Sequence, residues 1–311
     1  MDGLKEALEL INGFKDDCEL RGMSPSTIER YISSIRELCR YLDKNGLDVL
    51  NVDKEVLRDF LDYLRRERKL RLRTIENSFA AISSFYDFLE YRGHVEKNPV
   101  GSVRKRYLRR FKDNSDGQER KLISVEEMAS LINSTLDIRD KAIITLLAKT
   151  GIRRNELITL DIDDVNWVEQ SIRLKPTAKR TNRTVFFDEE CSFILRRWAK
   201  IREGRNRNSS RSLFLNLEGD RLARHGVYHA VVQAAQRVSL HDPESDRMED
   251  HFSPHCCRHW FTTHLRRAGM RREFIQELRG DSRKEAIDIY DHIDLKELKE
   301  AYLACIPQLG I

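Results

Sequence analysis

Apolar residues recur every three to four positions along most of this 311-residue chain, and between Asp161 and Phe187 the pattern changes. A helical period sustained over so much sequence restricts the chain to packed helices, with room for one small sheet where the period fails. In the first hundred residues the spacing predicts four helices. Leu4, Leu8 and Ile11 mark the first; the second is capped by Ser24, enters through Pro25 and carries Ile28, Tyr31, Ile32, Ile35 and Leu38 up to Gly46. A third follows Asp53 with Val56, Leu57, Phe60, Leu61 and Leu64. The fourth carries Ile75, Phe79, Ile82, Phe85 and Leu89 and stops near Gly93 and Asn98-Pro99.

A basic, polar stretch then separates two bodies of sequence. Arg104, Lys105, Arg106, Arg109, Arg110 and Lys112 precede a Gly-containing polar segment, the composition of a linker able to track a phosphate backbone. Residues 1–103 are therefore expected to form an all-helical domain, 104–121 a basic linker and 122–311 a second domain. The second domain opens on a capping box, Ser124 and Glu127, ahead of Met128, Leu131 and Ile132. The apolar run Ala142–Ala148 predicts a buried helix that stops at Thr150-Gly151. A short helix restarts over Arg154–Leu160, which leaves Arg153 at a helix-to-helix corner.

Between Asp161 and Phe187 the residues Trp167 and Val168, Ile172 and Leu174, and Thr184, Val185 and Phe186 predict a small antiparallel sheet. Its last turn holds Lys175, Lys179, Arg180 and Arg183. Helices resume at Asp188 and again around Val227, at 253–278 and from Leu295 to Ile306. The fold class is mainly α: a helical amino-terminal module joined to an α+β domain with one small sheet.

No apolar run approaches the roughly 20 residues a membrane span needs, and MDGLKEALEL lacks the regions of a secretory signal, so an intracellular protein is expected. The six cysteines are scattered without a disulfide framework. A net charge of +5 is a mild bias toward polyanions, and the clustering of the basic residues says more than their sum.

The densest set of polar side chains lies in SPHCCRHWFTTHLRRAGMRREFIQELRGDSRKEAIDIYDH, which displays His255, Arg258 and His259 at the start of one helical pattern and Tyr290 after a later one. With Arg153 these residues suit chemistry on a phosphodiester. A tyrosine attacking phosphorus stores the ester energy in a phosphotyrosine bond, so neither metal nor nucleotide cofactor is required. Arginine forks pair with two non-bridging oxygens as charge builds, and a Lys or His protonates the leaving oxygen. Cys256, Cys257 and the nearby histidines do not read as a metal site: adjacent cysteines on a helix point in different directions, and no second C-x-x-C pair follows.

Three segments in order resemble the boxes of the tyrosine recombinases, or phage-type integrases. TGIRRNEL at 150–157 is similar to the first arginine box, HCCRH at 255–259 to the H-x-x-R-H box, and LRGDSRKEAIDIYDH at 278–292 to the box that ends in the nucleophile. Residues 1 to about 105 resemble the family's helical core-binding domain. The resemblance implies strand exchange on double-stranded DNA through a 3′-phosphotyrosyl link to Tyr290, by a tetramer on two paired sites. It implies that Arg153 and Arg258 hold the scissile phosphate, that Glu156 accompanies Arg153, and that His255 assists proton transfer. A lysine of the sheet turn, Lys179 or alternatively Lys175, would protonate the leaving oxygen. Arg104, Lys105, Arg106, Arg109, Arg110, Arg180 and Arg183 are expected to supply contacts to DNA phosphates. The tail after Leu295 suits packing on a neighbouring subunit.

One position departs from the family. Nine residues before Tyr290, where a histidine or tryptophan usually donates to the phosphate, stands Asp281. An ionised carboxylate cannot donate, and Asp281 is expected to pair with Arg258 or His255 instead. Two other functions use the same sequence features: a DNA-binding relative that does not cut, and a topoisomerase that relaxes DNA without choosing a site.

Overall fold

A computed structural model describes residues 2–108, 122–176, 183–281 and 293–311. The chain divides into two compact units, Met1–Asp116 and Gly117–Ile311, each with its own apolar core.

Where the spacing predicts four helices in the first unit, the described residues form five: α1 (Asp2–Leu20), α2 (Pro25–Lys44), α3 (Lys54–Arg66), α4 (Leu72–Tyr91) and α5 (Val100–Tyr107). The start signals act as expected. Ser24 Oγ accepts the Thr27 N–H at 3.3 Å and Asp53 accepts those of Glu55 and Val56 at 2.9 Å. Phe14, Ile35, Leu38, Leu57, Leu64, Phe79, Phe85 and Leu89 are buried together.

The fifth helix occupies the beginning of the stretch expected to be linker. Val100 and Val103 bury against α3 and α4, and Asn98 sets the helix start. Its Oδ1 accepts the Val100 N–H at 2.9 Å while its Nδ2 donates to Ser83 O at 3.0 Å and Asp87 Oδ1 at 2.6 Å. Arg104, Lys105 and Arg106 thus project from the last turn of an anchored helix rather than from a loose chain.

The second unit begins at the capping box. Glu127 N–H donates to Ser124 Oγ at 3.1 Å and Ser124 N–H to Glu127 Oε2 at 2.7 Å, opening α6 (Val125–Asn133). α7 (Ile138–Thr150) is buried from Ala142 to Thr150. It ends at Gly151, whose φ of +60° and whose position, with a hypothetical Cβ 2.3 Å from the Phe261 ring, admit no side chain. α8 (Arg154–Thr159) follows directly. The antiparallel sheet has the order β1 (Val165–Asn166), β2 (Ser171–Leu174), β3 (Arg183–Phe186). Its first strand lies two residues earlier than the expected Trp167 and Val168. Asn166 Oδ1 accepts the N–H groups of Val168 and Glu169 at 3.1 and 2.9 Å and turns the chain there, leaving Val168 exposed. The remaining α-helices among the described residues are α9 (Glu189–Arg205), α10 (Arg224–Arg237), α11 (Pro254–Arg267), α12 (Arg272–Arg279) and α13 (Leu295–Cys305).

In the tail, Leu298 and Tyr302 of α13 are fully buried in the core of their own unit, while Leu295 and Leu303 of the same helix are exposed. The Tyr302 hydroxyl donates to Lys149 O at 2.9 Å, and the buried Lys149 ammonium reaches Asp188 and Glu190 at 2.5 Å each and Pro307 O at 2.7 Å. Glu190 in turn accepts the N–H groups of Leu309 and Gly310. Deleting residues 295–311 would empty four core positions, Leu298, Tyr302, Ile306 and Leu309, and strip Lys149 of one hydrogen-bond partner, Pro307 O. Each emptied core position costs on the order of 2–5 kcal/mol. The truncated chain is expected to lose cooperative melting of its second unit, rather than to fold and fail only in assembly; circular dichroism on heating checks this.

Candidate active site

Two chain reversals and one helix build the site. Gly151, left-handed after α7, carries the chain into Arg153 at the head of α8. Arg258 stands in the second turn of α11, its side chain 5% exposed. Gly280, left-handed at φ +61°, ends α12 and places Asp281 against both arginines. The residues are distant in sequence, and the packing of α11 on α7 and on α12 unites them.

The two guanidiniums grip one pair of oxygens. Arg153 donates through Nη1 to Arg279 O at 2.9 Å and through Nη2 to Asp281 Oδ1 at 3.1 Å. Arg258 Nη2 lies 2.9 and 3.4 Å from the same two oxygens, while its Nη1 donates to Gly151 O at 2.6 Å. Burial first, and then the like charges of Arg153 and Arg279, push the Arg258 pKa down to about 9, so the group stays protonated at neutral pH. Asp281 is a partner of Arg258, as expected, but more closely of Arg153, and its Oδ2 lies 3.0 Å from Arg279 Nε.

Beneath this pair lies a second ion pair that the sequence does not announce. Arg183, expected among the DNA-contacting residues, is buried. Its Nη1 and Nη2 bind Glu156 Oε1 and Oε2 at 2.8 and 2.9 Å, and its Nε donates to Leu278 O at 3.1 Å. Each nitrogen of the guanidinium is engaged inside the protein, an arrangement that suits positioning neighbouring elements rather than contact with a DNA backbone. Glu156 also accepts the Arg153 N–H at 2.7 Å. Burial alone would raise the Glu156 pKa, but hydrogen bonds and charge from Arg183 outweigh it and hold the carboxyl below its usual range. One bidentate pair thus ties β3, α8 and the end of α12 together under the site.

A cleft of about 440 Å³ opens beside Arg153 and Arg258, lined also by His255, Arg154, Arg224 and Tyr228. His255 is exposed on α11 and faces this space. Arg224 and Tyr228 come from α10, some seventy positions from Arg153, and no local pattern in the sequence points to them. Lys175, the alternative acid, is not among the cleft residues. Its ammonium is taken by Asp161 at 2.5 Å, Asp164 at 3.4 Å and Thr159 O at 3.0 Å. Tyr290, Lys179, Arg180, Arg109 and Arg110 lie outside the described residues.

The histidines and cysteines near α11 have separate structural engagements. His241 pairs with Phe252 O at 2.9 Å, His251 with Ser245 O at 2.7 Å and His264 with Ile123 O at 3.2 Å, while Cys256 and Cys257 are buried. Among the described residues no three His, Cys, Asp or Glu side chains converge as metal ligands, and no helix is long and apolar enough to cross a membrane.

Two convergent arginines beside a cleft lined also by Arg154 and Arg224, on a helical unit with one small sheet, make a cationic site suited to a phosphodiester. Comparison with known proteins narrows the class. Residues 121–297 match the phage integrase family and residues 10–93 its N-terminal SAM-like domain. The chain is 28% identical to tyrosine recombinase XerC of Vibrio cholerae over 288 residues, covering 91% of this chain and 87% of that protein. It is 29% identical to the XerC of Oceanobacillus iheyensis, covering 93% and 92%. Among solved structures, a lambda integrase fragment bound as a dimer to a core site shares the fold, with a TM-score of 0.67 at 14% identity, covering 92% of this chain and 98% of that one. The Tn1549 transposon integrase in complex with transposon right-end DNA shares it too, with a TM-score of 0.66 at 19% identity over 94% and 97%. The chain belongs to the phage integrase family, and it is a site-specific recombinase of the Xer-like kind, an enzyme that cuts and rejoins DNA.

Proposed function

We propose that Tyr290 is the nucleophile of this recombinase and that Arg153 and Arg258 bind the two non-bridging oxygens of the scissile phosphate. The observation that carries this reading is the convergence of both guanidiniums on the same pair of oxygens, Arg279 O and Asp281 Oδ1. The phenolic oxygen forms its bond to phosphorus as the 5′ oxygen of the next nucleotide leaves. The phenol gives up its proton and the leaving oxygen gains one, so a 3′-phosphotyrosine and a free 5′-hydroxyl result. His255, in the cleft beside Arg258, serves proton transfer. Lys179 is the acid for the leaving oxygen, in preference to Lys175, whose ammonium is committed to two carboxylates.

The partner is double-stranded DNA. Lambda integrase is found as a tetramer on a Holliday junction, and the present chain acts in the same assembly on two paired sites, in the cytoplasm and associated with DNA. Arg104, Lys105 and Arg73 share a groove of the first unit that suits phosphate contacts, with Arg106 nearby on the same helix and Arg109, Arg110 and Arg180 as further donors.

The test is a nicked suicide duplex, chosen from sequences recovered by tight binding, incubated with the full chain. A covalent protein–DNA adduct is expected, its phosphorylated peptide containing Tyr290 by mass spectrometry. Tight binding without any adduct would indicate a relative that binds and does not cut. Sequence-independent relaxation of supercoiled plasmid would indicate a topoisomerase.

A further inference from the structure

We infer that Arg279 O and the Asp281 carboxylate form a built-in stand-in for the scissile phosphate, which DNA must displace from between Arg153 and Arg258. The inference rests on the phosphate-binding role proposed for those two arginines. A phosphodiester offers two non-bridging oxygens and one negative charge. The end of α12 and the residue after its cap offer the same: one carbonyl oxygen and one carboxylate oxygen, each within 2.9–3.4 Å of both guanidiniums, and one negative charge. Arg279 Nε lies 3.0 Å from the other carboxylate oxygen, an ion pair without hydrogen-bond alignment.

The arrangement has an electrostatic reason. Arg153, Arg258 and Arg279 stand within one cluster, and Arg258 is nearly excluded from solvent. Like charges at this spacing repel strongly when water is scarce. Asp281 offsets that repulsion in the absence of DNA, and exchanging one monoanion for another leaves the charge of the cluster unchanged.

The exchange also discriminates between anions. Asp281 is tethered beside its arginines, and a tethered group acts at an effective concentration that a free anion in solution does not reach. A lone phosphate therefore loses the competition. A DNA phosphate delivered by contacts elsewhere along the duplex competes on equal terms, because it too is tethered. A carboxylate at this position gives up one hydrogen-bond donor to the phosphate and gains a site that isolated anions do not occupy. Glu277, one turn earlier on α12, carries the same charge and serves as the control for removing a negative charge from this helix end.

Inorganic phosphate is the probe, titrated into the full chain without DNA and followed by calorimetry. If the seat is open about a tenth of the time in the parent, Asp281→Asn binds phosphate about tenfold more tightly. Glu277→Gln should change affinity less than twofold, and the gain should vanish in Asp281→Asn combined with Arg153→Ala. Asp281→Ala, which removes the carboxylate altogether, should shift affinity the same way as Asp281→Asn and carries the test if that variant does not fold. Equal or weaker phosphate binding in Asp281→Asn, or an equal gain in Glu277→Gln, overturns the stand-in. Because the readout involves no strand cutting, an absent covalent adduct would count against the recombination chemistry alone.

Discussion

Alanine at position 258 is expected to slow covalent adduct formation by on the order of 10³-fold, measured as single-turnover cleavage of a suicide duplex at saturating DNA. A preorganised donor aimed at charge that develops in the transition state typically supplies about 10²–10³-fold. Arg258 supplies more than one, since its Nη2 reaches two oxygens of the seat while Nη1 is fixed on Gly151 O. That anchoring means little is lost in orienting the group when phosphorus becomes five-coordinate. Lysine should recover only a small part of the rate, because a single ammonium cannot span Gly151 O and the two-oxygen seat together. Loss of DNA binding in proportion to loss of rate would instead make Arg258 a general affinity residue.

Removing the carboxylate of Glu156 should cost the second unit about 3–5 kcal/mol, because it leaves the Arg183 guanidinium buried without its counter-charge. Both side chains are only 5–6% exposed and their forks meet at two points, 2.8 and 2.9 Å. In a unit of this size that is a fall in melting temperature of about 10 °C. Glu156→Leu combined with Arg183→Met should restore much of the stability while leaving Arg153 less well placed, so recovered melting with unrecovered cleavage is the expected pair of results. The pH dependence follows from the direction of the Glu156 shift. With the folded carboxyl held below its usual range, its stabilisation is fully present above the ordinary Glu value of about 4.3 and drains as pH falls through the folded value. Stability of Glu156→Ala should therefore depend less on pH in that acidic window than stability of the parent. Equal slopes would mean that Arg183 is neutralised by something else.

How much of this was legible beforehand depends on the range of the interaction. Caps are local, and Ser24, Asp53, Ser124 and Glu127 announce their helices within four residues; the corner at Arg153 follows from Gly151 in the same way. α5 was missed although Val100, Val103 and Leu108 carry a usable signal, because Arg104, Lys105 and Arg106 make the segment look like solvated linker. The strand offset at Val165 turns on a single side chain, Asn166, bonding to its own backbone. Long-range facts were less accessible. Nothing around Arg183 distinguishes a buried arginine from an exposed one, since its partner Glu156 lies 27 positions away. Asp281 was conspicuous as a departure, yet its grip on Arg153 as well as Arg258 emerges only where α11 and α12 meet.

The way Glu190 holds the last residues bears on how this protein can vary. Its carboxylate addresses main-chain N–H groups of Leu309 and Gly310, which every amino acid except proline possesses, so the grip reads spacing and is blind to most side-chain identities. Inserting or removing one residue between Tyr302 and Leu309 should disturb the region more than most exchanges of letters there. Drift in spelling is tolerated where drift in length is not.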